Sequence, residues 1–138
     1  MLKIAGVSDY SNQTYNYSTA ESGGIVNGSW NFPKSYFSVE NDGTFSISVN
    51  FSADKNAASF IGGTSPLFQI KGKAAESNAC PALVTSYTSI LTSAQNLCPL
   101  LKFGQTEDAF KVPIKLSIPD DAASGIKLAT ITFSAAKA

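Results

Sequence analysis

The strongest constraint on this chain is a period-two alternation near its C-terminus. Phe110, Val112, Ile114, Leu116 and Ile118 alternate with Lys111, Pro113, Lys115 and Ser117. Beyond a Pro- and Gly-marked turn, Ala129, Ile131, Phe133 and Ala135 alternate with Thr130, Thr132 and Ser134. Such spacing sends one set of side chains into a core and the other into water. It predicts two β-strands, over 110–118 and 126–135, joined by a turn. Pro113 has no amide hydrogen for a ladder, so its strand is expected at a sheet edge or with a bulge at that point.

The same pattern recurs upstream. In Thr44–Ala53 the residues Phe45, Ile47, Val49 and Phe51 share one face, with Asn50 opposite. Asn41-Asp42-Gly43 just before it is a tight-turn signal, because these residues tolerate the positive φ of hairpin turns. Further extended segments are expected at 2–7, 25–32, 35–39, 66–72 and 100–103. Pro33, Asp54–Ala58 and Gly62-Gly63 mark breaks or loops between them. About eight strands with regularly spaced turns predict an all-β fold, a two-sheet antiparallel β-sandwich of immunoglobulin-like or jelly-roll-like type.

One segment departs from alternation. Leu83, Val84, Tyr87, Ile90, Leu91 and Ala94 recur at three- and four-residue steps, and Pro81 suits a first helical turn. A short helix is expected over about 82–95, with an extended loop as its rival because Thr and Ser weaken helical propensity. Cys80 and Cys98 flank this segment. A disulfide between them is expected to stabilise the fold by about 3 kcal/mol in the chain-entropy model; the other reading is two buried free thiols.

With 138 residues the chain is expected to form one sandwich domain over 21–138, preceded by an N-terminal segment over 1–20. Charged residues are only 14% of the total and balance to a net charge of +0, so Ser, Thr, Asn and Gly must supply the polar surface. The lysines are dispersed along the sequence, which argues against nucleic acid as a partner. No run approaches the roughly 18–20 apolar residues of a membrane-spanning helix. Met1–Val7 is too short and too weakly apolar for a signal peptide. Met1 is therefore expected to have been supplied for expression of one module of a larger protein, with prior removal of an export signal as the other explanation.

Four Asn-x-Ser/Thr sequons, at Asn12, Asn16, Asn27 and Asn50, offer glycosylation positions. The cysteine pair and the low charge add to them in suggesting a secreted or cell-surface protein.

Catalytic chemistry is poorly provided for. The chain has no His, which removes Ser–His–Asp and Cys–His mechanisms and leaves no tetrahedral metal set. Glu107-Asp108 and Asp120-Asp121 are the adjacent acidic pairs, and both are expected to be solvated turn residues. Asp120 and Asp121 are weak candidates for Ca²⁺, since no Asp-x-Asp-x-Asp loop accompanies them. No other cofactor is expected, and the chain is not expected to be an enzyme.

Two binding readings arise from the N-terminal third. Leu2, Ile4 and Val7 make a short apolar segment, suited either to the first strand of their own domain or to addition onto the sheet edge of a neighbouring subunit. Head-to-tail addition of that kind builds a filament. Trp30, Phe32, Tyr36 and Phe37 form the densest aromatic run. Trp30 and Phe32 are expected to anchor the core, leaving Tyr15, Tyr17 and Tyr36 as candidates for stacking on sugars.

Val39-Glu-Asn-Asp-Gly-Thr-Phe-Ser-Ile-Ser-Val-Asn50 resembles the strand–turn–strand of secreted immunoglobulin-like modules. Ile118-Pro-Asp-Asp-Ala-Ala-Ser-Gly-Ile-Lys-Leu-Ala-Thr-Ile-Thr-Phe133 resembles their last hairpin. These modules occur in bacterial and archaeal cell-surface proteins, and resemble the subunits of archaeal surface filaments and biofilm-matrix fibres. The resemblance covers about half of the chain and omits residues 74–103. It implies a structural or adhesive surface role, with other copies of the chain or cell-surface proteins as partners. The alternative is a carbohydrate-binding module that takes polysaccharide on an exposed aromatic platform.

Overall fold

The computed structural model describes residues 2–5, 36–123 and 127–138, with backbone alone for 2–5 and Tyr36. Nine strands and one short helix occur there in the order β1 Leu2–Ala5, β2 Tyr36–Asn41, β3 Ile47–Ala53, α1 Ala57–Phe60, β4 Leu67–Ile70, β5 Lys73–Ala74, β6 Thr88–Ser89, β7 Gln95–Leu101, β8 Ala109–Ser117 and β9 Ile131–Lys137. The expected strand over 25–32, with Trp30 and Phe32, lies outside the described residues.

The strands form two antiparallel sheets, as alternation predicts for a sandwich. The larger runs β1-β2-β8-β4-β6, with β5 also paired to β8; the smaller runs β7-β3-β9. Their inner faces share one core. Val39 of β2 and Phe110, Val112 and Ile114 of β8 come from the larger sheet, and Ile47, Val49 and Phe51 of β3 and Leu97 of β7 from the smaller. Phe37 of β2 meets Phe133 of β9 edge to face across it, with ring centroids 5.9 Å apart. Truncating a buried phenylalanine such as Phe51 costs about 3–5 kcal/mol.

Both expected hairpins are instead crossings between sheets. The Asn41–Gly43 turn carries the chain from β2 in one sheet to β3 in the other. It does so without positive φ, which among the described residues is confined to Gly62, Gly63, Ser65 and Asn78. The Asn41 side-chain oxygen accepts from the Gly43 N–H at 3.1 Å, so an Asx turn takes the place of a hairpin turn. Likewise β8 and β9 do not pair. β8 is flanked by β2 over Ala109–Pro113 and by β4 and β5 on its other side, and β9 pairs instead with β3.

Pro113 therefore sits in an interior strand, with neither the edge position nor the bulge expected of it. Its carbonyl accepts from the Lys71 N–H at 3.3 Å. Its missing donor falls opposite Lys71-Gly72, the interval that separates β4 from β5. The registers of β4 and β5 on β8 are continuous across that interval, Ile70 opposite Ile114 and Lys73 opposite Lys111. One strand line is thus interrupted where proline cannot donate, while Gly72 turns its N–H to the Val84 carbonyl at 2.6 Å.

The helix expected over 82–95 does not form. The segment is extended, with β6 inside it and β7 beginning at Gln95. Three of its apolar residues, Leu83, Val84 and Ile90, join the core while Leu91 is exposed: the Ile90 N–H donates to the Phe68 carbonyl and the Val84 N–H to the Leu97 carbonyl. Thr85, Ser86, Thr88, Ser89, Thr92 and Ser93 give little helical propensity to oppose that docking. The Cys80–Cys98 disulfide closes the segment, with Cα atoms 6.1 Å apart. β7 begins earlier than the expected 100–103 strand, and its register on β3 shifts twice near Val49.

Candidate functional site at an open sheet edge

β9 is the outer strand of the smaller sheet, and its seven residues pair with β3 in unbroken register from Ile131 opposite Ala53 to Lys137 opposite Ile47. Among the described residues no strand pairs with its other side. The hydrogen bonds at its two ends give its orientation. The Asp54 N–H donates to the Thr130 carbonyl at 3.1 Å, and the Ala138 N–H to the Ser46 carbonyl at 3.0 Å. In an antiparallel ladder these bonded pairs recur every second residue. Thr132, Ser134 and Ala136 therefore direct their main-chain groups at β3, and Ile131, Phe133, Ala135 and Lys137 direct theirs outward.

This edge is long, regular and nearly uncharged, the form that templates pairing with another chain. Ile131 and Phe133 are half-buried, Ala135 and Ala136 are exposed, and Lys137 alone carries charge, its ammonium 5.3 Å from the Phe45 ring. The opposite edge differs. β7 carries Pro99 and the two register shifts, devices that blunt an edge. At the far margin of the larger sheet, β6 is only two residues long.

The lead-in to β9 is pinned from α1 and the end of β3. Lys55 Nζ donates to the Leu128 carbonyl at 2.6 Å, Lys127 Nζ to the Ile61 carbonyl at 2.7 Å, and the Thr130 N–H to Asp54 Oδ1 at 2.8 Å. These contacts hold the lead-in to the strand in place.

The other margin of the larger sheet is β1. Leu2 stands opposite Asn41, Lys3 opposite Glu40, Ile4 opposite Val39 and Ala5 opposite Ser38, so the N-terminal strand pairs within its own chain. Val7, Tyr15, Tyr17, Asn12, Asn16 and Asn27 lie outside the described residues. Tyr36 opens β2, its backbone opposite Pro113. Asn50 lies, as expected, on the outer face between buried Val49 and Phe51, and its side-chain oxygen accepts from Asn96 Nδ2 at 2.9 Å. Phe45 does not share the buried face expected for it: it precedes β3 and is 44% exposed.

The acidic pairs separate. Asp120 is exposed. Asp121 accepts from the Thr64 N–H at 2.8 Å and from the Thr64 hydroxyl at 2.6 Å. Those hydrogen bonds, the hydroxyl first, hold its carboxyl below the usual range. The clamp explains Gly63, whose φ is +78° and where an added Cβ would stand 2.5 Å from Pro119 and 2.7 Å from Asp121. Glu107 pairs with Lys102 at 3.0 Å.

Asp108 is buried at 8% exposure, contrary to the expected solvated turn. Burial first, then the negative charges of Glu76 and Glu40, push its carboxyl above the usual range. Glu76 Oε2 accepts from the Asp108 and Ala109 N–H groups at 2.8 and 3.1 Å. Among the described residues no three His, Cys, Asp or Glu side chains assemble in a way that could hold a metal ion.

That no strand pairs with the outer side of β9 among the described residues was not visible in the sequence, because alternation reveals a strand but not which neighbours it lacks. The low charge of Ile131–Ala136 was the available signal. No family model matches this chain, and neither a curated protein nor a solved structure matches it.

Proposed function

We propose that this chain is an extracellular, immunoglobulin-like structural or adhesive module that joins other copies by β-strand addition. The observation that carries the reading is the outer side of β9, which no strand pairs among the described residues, seven residues long with outward main-chain groups at alternate positions. An incoming strand would continue the ladder of the smaller sheet, its affinity coming from main-chain hydrogen bonds. The donor is the N-terminal strand Leu2–Ala5, which pairs on one side only among the described residues. Leaving β2 of its own chain for β9 of a neighbour makes a heterologous contact, and repetition of that contact gives a filament.

The Cys80–Cys98 disulfide supports an oxidising setting. No helix among the described residues is long and apolar enough to cross a membrane.

Light scattering with negative-stain microscopy tests the reading on the intact chain beside one that starts at Ser8. Fibres or oligomers from the intact chain alone are expected. Monomers from both would overturn it.

A further inference from the structure

The outer face of the smaller sheet carries short, uncharged side chains along its central strand. Ser48, Asn50 and Ser52 of β3 are partly exposed and alternate with buried Ile47, Val49, Phe51 and Ala53. Residues opposite one another in a ladder share a face. On β9, Ala136 stands opposite Ser48, Ser134 opposite Asn50 and Thr132 opposite Ser52, all three exposed. On β7, Asn96 stands opposite Asn50.

The Asn96 amide closes a small network on this face. Its Nδ2 donates to Ser48 Oγ and to Asn50 Oδ1, both at 2.9 Å. Asn50 is thereby held through its oxygen alone. Among the described residues its own Nδ2 has no hydrogen-bond partner, and that nitrogen carries two N–H bonds. Ser52 lies two residues further on, so strand geometry sets its hydroxyl on the same face. The two polar members of the Asn50-Phe51-Ser52 sequon thus face out together, while Phe51 between them anchors the strand in the core.

We infer that Asn50 is N-glycosylated. Asn50 Nδ2 joins C1 of a sugar carried on a lipid phosphate or pyrophosphate. The C1–O bond to phosphate breaks, the lipid phosphate leaves with its electron pair, and Nδ2 gives up one proton. The linkage consumes one N–H bond and none of the acceptor capacity of Oδ1, so the hydrogen bond from Asn96 survives it. β3 is the central strand, paired on both sides, so transfer takes place on the extended chain before the sheet closes. In the closed sheet the sugar stands beside Ser48, Ser52 and Ser134, all small. The modification rests on the extracellular setting proposed above and is independent of strand addition.

Secretion of the intact chain from mammalian cells behind a cleavable signal, followed by peptide mass spectrometry, tests the inference. The lysine positions isolate the site. Cleavage after Lys34 and Lys55 gives peptide 35–55, in which Asn50 has the only sequon, while Asn12, Asn16 and Asn27 fall in peptide 4–34. Peptide 35–55 is expected to carry an N-acetylhexosamine-based glycan in most molecules. Ser52→Ala should abolish it while leaving the Asn50–Asn96 hydrogen bond, and Ser52→Thr should retain it. The glycosylated protein should melt within about 4 °C of Ser52→Ala. An unmodified peptide 35–55 from product whose Cys80–Cys98 disulfide has formed would overturn the inference, because the oxidising setting is then met. A glycosylated fraction that melts far below Ser52→Ala would overturn it too. Occupancy is scored on the peptide whether or not the chain assembles, so failure of strand addition leaves it standing.

Discussion

Asn41 Nδ2 donates to the Lys102 carbonyl at 2.9 Å, tying the end of β2 in one sheet to the chain leaving β7 in the other. The same amide reaches the carbonyls of Phe45 at 3.0 Å and Leu101 at 3.3 Å. Asn41 and Leu101 are both fully buried, so the Leu101 carbonyl has no water to take the amide's place. Asn41→Ala is expected to cost about 1–3 kcal/mol by leaving that buried acceptor unsatisfied. Urea unfolding measures this; a cost under about 0.5 kcal/mol, typical of a surface change, would remove the hub role.

The two faces of the β9 ladder make a paired prediction. Ala135 directs its N–H outward and its side chain is exposed, so Ala135→Pro should leave the melting temperature nearly unchanged while abolishing assembly. Ser134 directs its N–H at β3, so Ser134→Pro should destabilise by about 1–3 kcal/mol through a lost ladder bond. Thermal melts together with light scattering read both effects. Equal destabilisation by the two substitutions would contradict the orientation of the strand.

Asp108 links stability to pH. Its folded-state carboxyl lies above the ordinary value of 3.8. Its favourable contribution is therefore fully present below that value and is lost as pH rises through the folded-state value. Asp108→Asn stays neutral throughout, so it should raise the melting temperature at pH 7, with the gain shrinking towards pH 3. Melts of both proteins across that range test the sign, and a gain of the same size at pH 3 and pH 7 would refute it.

The disulfide closes a separation of 18 residues around a segment without regular structure for much of its length. Replacing Cys80 and Cys98 together by Ala is expected to cost about 3 kcal/mol in the chain-entropy model. Denaturant unfolding with and without reductant checks it: reductant should lower the midpoint of the parent chain and leave the double variant unmoved.

Strand existence was legible because Phe110–Ile114 and Ile47–Phe51 each bury every second residue, and that period is local. Pairing was not. Asn41-Asp42-Gly43 and Pro119–Asp121 have the composition of hairpin turns, yet the choice between hairpin and crossing depends on whether the neighbouring edge is vacant. At the second turn β4 already lies along one side of Ile114–Ser117, and β9 takes the edge of β3. The helical spacing at Leu83–Ala94 misled because six apolar residues can recur by threes and fours without sharing a helix face, and Leu91 and Ala94 are in fact exposed. The Lys73–Lys111 pairing was equally hidden. Lys73 and Lys111 lie far apart in sequence, and only the β5–β8 register sets them opposite one another.

The crossing at Asn41 also sets how the fold would carry load. A pull applied at β1 and β9 passes along the β1–β2 ladder, through the covalent 42–46 link, into β3 and out along the β3–β9 ladder. Tension therefore runs through hydrogen bonds in both sheets in series, with the buried Asn41 amide bracing the link between them. The loop between Cys80 and Cys98 lies off this route, so the cross-link constrains the unfolded chain without bearing that load, and the four-residue ladder of β1 is the shortest element that does.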